Sequence, residues 1–142
     1  MCTVSLLGCG SLGAGATPEP DPIITRVADP NIPWPAAAIT GRLSLKKGCL
    51  MIGSGVAVWP ADTSWDADKL EVVFGGDLAG APNAPVGSIF KGGGGALPDD
   101  MSGVLSKEAE AAVRACLTKT GATYAELAAP QVPWPKAHRP AP

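Results

Sequence analysis

The chain has 142 residues, 18 of them Gly and 15 Pro, with 17% charged residues and a formal net charge of −2. Leu, Ile, Val and Phe supply only about a fifth of the sequence, just above the level at which packed cores stop forming. This excludes a strongly basic nucleic-acid binder, which needs clustered Lys and Arg to neutralise phosphates, and no run approaches the ~20 apolar residues of a membrane-spanning helix.

The length suits one domain. Residues 10–38 hold Pro18, Pro20, Pro22, Pro30, Pro33 and Pro35 without a sustained period of 2 or 3.6. Proline fixes φ and removes a backbone donor, so this stretch reads as an extended tether. Residues 130–142, with Pro130, Pro133, Pro135, Pro140 and Pro142, read as a tail. Each flank carries a Pro-Trp-Pro unit, around Trp34 and Trp134. These units read first as anchors that tuck a Trp against the domain, and second as polyproline docking motifs for a partner. The compact part is then residues 39–129, a size that folds alone with modest stability.

Within it, Gly41-Arg-Leu-Ser-Leu-Lys46 alternates, with Leu43 and Leu45 on one face and Arg42, Ser44 and Lys46 on the other, the mark of a half-buried strand. Lys47-Gly48 reads as a tight turn and Cys49-Leu-Met-Ile52 as a more buried strand. Gly53-Ser-Gly55 turns the chain into a third strand holding Val56, Val58 and Trp59, which Pro60 stops. Residues 61–68 read as loop, and 69–74 as a strand with Leu70, Val72 and Phe74 on one face. Residues 75–77 read as a turn, 79–85 as a small-residue loop and 86–90 as a fifth strand that ends in the turn Gly92–Gly95. A helix over 106–120 follows. Ser106 is its N-cap, Glu108 and Glu110 sit in its first turns, and Gly121 is its left-handed C-cap. Ala109, Ala112, Val113, Cys116 and Leu117 form its apolar stripe. Residues 122–127 suit a last strand or a further helical turn equally. The expected fold is mainly β: a small β-barrel, OB-like or sandwich-like, of about five short strands with one C-terminal helix packed on it.

The four cysteines carry the most information. Cys49 opens an apolar strand and Cys116 lies on the apolar helix face. In an exported protein they would make a natural disulfide; otherwise they are two free buried thiols acting as small hydrophobes. Zinc is a poor third reading, with no C-x-x-C and one histidine, His138, in the tail.

Leu6-Leu7-Gly8-Cys9 resembles a bacterial lipobox, with Gly10-Ser11 and the Pro-rich tether after it. The resemblance implies lipidation of Cys9 after cleavage before it, removal of Cys2 with the signal (residues 1–9 being the remnant of signal and lipobox), and a domain held off the membrane. A signal peptide needs a positive n-region and a longer apolar stretch than Met1 to Gly8 supplies, so the expected true start lies upstream of Met1. The set Gly41-x-Leu43-x-Leu45, Gly48-Cys49-Leu50, Val58-Trp59-Pro60, Val86-Gly87 and Gly92-Gly93-Gly94 resembles a domain of secreted proteins and lipoproteins of actinobacteria. That resemblance covers residues 41–96 and implies a small β-barrel in the cell envelope and no known reaction. The chain departs from the pattern between Gly75 and Pro85, where a small-residue loop replaces a tight turn.

Catalytic constellations are sparse. His138 between Ala137 and Arg139 reads as a solvated histidine. Asp62, Asp66 and Asp68 could ligate Ca²⁺ through oxygen, but no bidentate Glu follows at calcium-loop spacing, so they read as a solvated acidic loop. Lys91 precedes its glycines where a P-loop places Lys after them. Trp59 and Trp65 flank the acidic loop; with Asp62 and Gly93 they are the candidate ligand-binding residues, set against Trp59 simply packing across the barrel mouth. The favoured reading is a non-enzymatic envelope lipoprotein without cofactor or metal. Its partners would be membrane lipid through acylated Cys9 and an envelope protein or small ligand, with no nucleic acid. The alternatives are a carboxylate- or metal-dependent envelope enzyme and a cytosolic module that works through its Pro-Trp-Pro segments.

Overall fold

A computed structural model of the chain describes residues 21–28 and 37–131. The lipobox-like segment with Cys9, both Pro-Trp-Pro units and His138 lie outside the described residues.

The protein is mainly β with one α-helix. Strands β1 (Ala37–Lys46), β2 (Cys49–Ile52), β3 (Gly55–Val58), β7 (Ile89–Ala96) and β8 (Ala125–Pro130) share one sheet. β4 (Ser64–Asp66), β5 (Glu71–Val73) and β6 (Ala84–Pro85) form a second, three-stranded sheet, and α1 spans Lys107–Thr120.

The first three strands follow from local chemistry. β1 and β2 pair antiparallel with Lys46 opposite Cys49, which leaves Lys47-Gly48 as a two-residue loop. Both loop residues have positive φ (52° and 80°), the backbone that matches the twist of a tight hairpin. β2 returns into β3 through Gly53-Ser54, with Ile52 opposite Gly55. α1 is capped as its sequence requires: Ser106 Oγ accepts from the Ala109 N–H at 3.1 Å, and Gly121 (φ 75°) closes the last turn by donating to the Leu117 carbonyl. Of residues 122–127, Ala125 to Leu127 are strand and 122–124 are not: β8 runs parallel to β3, with Val56 opposite Ala125 and Val58 opposite Leu127. It also runs antiparallel to β7, which in turn pairs with β1.

β2 and β3 are buried on both faces, so they read as unbroken apolar runs. One face (Cys49, Met51, Val56, Val58, with Ala125 and Leu127 of β8) packs on Val113 and Cys116 of α1 and on Met101 and Leu105 before it. The other face (Leu50, Ile52, Ala57 and Trp59 just beyond β3) packs with Leu43, Phe90 and Ala128. Val72, Phe74, Ala81 and Ala84 from the second sheet and its connections complete that second core. A disulfide joins Cys49 of β2 to Cys116 of α1 across the first core, which settles the choice between a bond and two free thiols.

Several boundaries differ from the sequence expectation, each for a tertiary reason. Part of the tether is built into the fold. Ile24 is buried, Thr25 bridges Trp59, Trp59 N donates to the Ile24 carbonyl at 2.8 Å, and Arg26 N donates to the Trp59 carbonyl at 2.9 Å. Proline content masked that short pairing segment, and β1 also begins at Ala37, inside the expected tether. The loop 61–68 holds β4, and the loop 79–85 holds β6. Leu70 does not share the buried face of Val72 and Phe74; it has a φ of 54° in the β4–β5 turn and is exposed. The fifth strand starts at Ile89 rather than 86 and runs through Gly92–Gly95 instead of ending there. Phe90, Gly92 and Gly94 alternate inward along β7. A Cβ on Gly92 would collide with the Ala129 carbonyl oxygen, and one on Gly94 with that of Leu127. The glycines are there because the neighbouring strand passes too close for a side chain, a requirement unrelated to turning.

Candidate functional site

The residues singled out from sequence do not share one exposed surface. Trp59 is 0% exposed. Its ring lies 5.4 Å from Phe90, edge to face, and 5.9 Å from Phe74. It fills the second core, and its indole is closed to an outside ligand. Trp65 is half-buried against that same core. Asp62 is exposed, with a φ of 68°, and its carboxylate lies against Gly76. Asp66 Oδ1 accepts from the backbone N–H groups of Asp68 (3.0 Å) and Lys69 (3.1 Å), so it builds the β4–β5 turn. Among the described residues no three His, Cys, Asp or Glu side chains converge as metal ligands. Gly93 alternates outward on β7, away from the face of Phe90, and Lys91 is exposed beside it.

Two features emerge at the other end of β3. The first is a cleft of about 380 Å³, at the lower end of the ligand-pocket range of ~300–1,000 Å³. Its walls are Ser44, Lys46 and Met51 of the β1–β2 hairpin, Gly53 and Ser54 of the next turn, and the end of α1 from Thr120 on to Thr123. Lys46 Nζ donates to the Thr120 carbonyl at 3.2 Å, a cation placed on the negative end of the helix dipole. The disulfide ties one wall to the other.

The second feature is Glu126. It is 6% exposed, and the residues paired with it, Ala57 on β3 and Ala96 on β7, carry no polar side chain. No hydrogen bond or ion pair reaches its carboxylate among the described residues. Tyr124, two residues earlier, is 40% exposed, and its hydroxyl lies 3.3 Å from Ser54 Oγ. Both side chains meet at Gly55: a Cβ there would stand 2.9 Å from Tyr124 Cζ and 3.0 Å from Glu126 Oε2. Sequence reasoning missed both residues, because Ala122 to Leu127 had no settled secondary structure and therefore no assignable faces. The one available signal was a Glu inside an otherwise apolar Ala-Glu-Leu-Ala-Ala run.

Burial raises the Glu126 pKa above its ordinary value of 4.5. The folded state thus holds the proton more strongly than the unfolded chain does. The consequence for stability has a definite sign. Glu126 costs nothing below the ordinary value, and its penalty grows as pH rises and is complete above the raised folded value. Glu126→Gln should therefore flatten this part of the stability–pH curve and exceed the parent in stability at neutral pH. Urea unfolding at several pH values checks this, and a Gln variant less stable than the parent at neutral pH would contradict it.

Compared with protein families, curated proteins and solved structures, the chain matches none. Among the described residues no helix is long and apolar enough to cross a membrane.

Proposed function

We propose that the chain is a non-enzymatic cell-envelope lipoprotein of the kind its actinobacterial resemblance implies. It is anchored through an acylated Cys9 and presents a small β-barrel as a binding or structural domain. The Cys49–Cys116 disulfide carries this reading, because such bonds persist in oxidising compartments and are rare where thiols are kept reduced. The pairing of β7 with both β1 and β8, and of β8 with β3, supports the barrel reading of the five-stranded sheet. Residues 24–26 pair with Trp59, and the chain between Cys9 and Asp21 spans at most about 40 Å at full extension. The domain would therefore stand close to the bilayer.

Mass spectrometry of protein purified from its native host tests the reading. The expected species begins at Cys9 and carries acyl mass on that residue. A chain that retains residues before an unmodified Cys9 refutes it.

A further inference from the structure

We infer that Glu126, Tyr124 and Ser54, gathered round the bare α-carbon of Gly55, form a binding site for a compact organic cation, a primary ammonium or a guanidinium group. Glu126 as a residue is more than nine-tenths buried, its carboxylate is partly desolvated, and no donor reaches that carboxylate among the described residues. An ionised carboxylate that has lost part of its water is favoured by a cationic partner. Its two cross-strand neighbours are alanines, which offer no donor. A ligand cation supplies the missing partner.

The surroundings suit that ligand. Tyr124 leaves part of its ring open to solvent next to the carboxylate, and an aromatic face attracts a cation. The Tyr124 and Ser54 hydroxyls provide further acceptors at the rim. Gly55 is the enabling residue, since its missing side chain lets the ring and the carboxylate approach the same point. Lys46, the cation of the adjoining cleft, is engaged with the Thr120 carbonyl and does not neutralise Glu126. The inference is independent of how the protein is anchored.

The test is a titration of ¹⁵N-labelled protein at neutral pH with n-butylammonium, and with n-butanol as the uncharged control. Saturable shifts are expected at the amides of Ser54, Gly55, Tyr124 and Glu126 with the ammonium alone, weakened about tenfold or more in Glu126→Gln. Tyr124→Leu keeps the carboxylate and removes the ring; it should weaken binding several-fold, and it decides the matter if Glu126→Gln does not fold. No saturable shift, equal shifts with butanol, or affinity unchanged in either folded variant would overturn the assignment.

Discussion

Reduction of the Cys49–Cys116 disulfide is expected to lower the unfolding free energy by about 4 kcal/mol. The two residues are 67 positions apart, so the bond closes a long loop in the unfolded chain and removes much of its entropy. Domains of this size unfold with a net stability of only about 5–15 kcal/mol, so the bond accounts for a large share. At roughly 4–8 °C per kcal/mol, the melting temperature should fall by about 20 °C. Native-state packing points the same way. Cys49 and Cys116 sit inside the core between the sheet and α1, and the bond holds the helix on that face. Calorimetry with and without reductant, together with a Cys49→Ala/Cys116→Ala double variant, measures the effect. A loss under about 1 kcal/mol would show that packing alone secures the helix. A large loss would mean that the domain depends on an oxidising setting for most of its stability, which bears directly on the envelope reading.

Trp59→Ala should destabilise the domain by about 3–5 kcal/mol, the usual cost of emptying a large aromatic site in a packed core. Trp59 lies between β3 and Pro60 and touches Phe90 of β7 and Phe74 just after β5. Its backbone also carries both hydrogen bonds to residues 24 and 26. One side chain therefore joins the two sheets, and its truncation leaves a void lined by Phe74, Phe90 and Val72. Trp59→Phe should cost markedly less than the alanine variant. It keeps an aromatic ring in place and removes the indole Nε1–H, which is buried without an acceptor among the described residues. Chemical denaturation of the two variants gives the comparison. Equal losses would mean that Nε1 has a partner in the native state.

Much of the fold was legible because it rests on local rules. The Lys47-Gly48 hairpin, the stop at Pro60 and the helix from Ser106 to Gly121 follow from backbone preferences that each residue carries with it. The alternation that buries Leu43 and the stripe that buries Val113 and Cys116 are equally visible in the chain. The facing positions of Cys49 and Cys116 were readable in the same way, since both fall on apolar faces, although only the structure distinguishes a bond from two free thiols.

The candidate site was not legible. Its parts come from the turn into β3 and the chain entering β8, elements brought side by side by a parallel pairing that no local period announces. Glu126 reads as an ordinary polar residue until its neighbours are known to be Ala57 and Ala96.

The composition of the chain, 18 glycines and 15 prolines, determined where local chain direction is set, and the apolar alternation determined which residues can be buried. Only the tertiary structure decided what those residues are for. Gly92 and Gly94 stand in a strand because a neighbouring backbone leaves no room for a Cβ, and Gly55 is bare because a tyrosine and a carboxylate meet over it. A glycine carries no side chain to signal such a role; the requirement lies in the atoms opposite it, which are distant in sequence and meet only when the sheet forms.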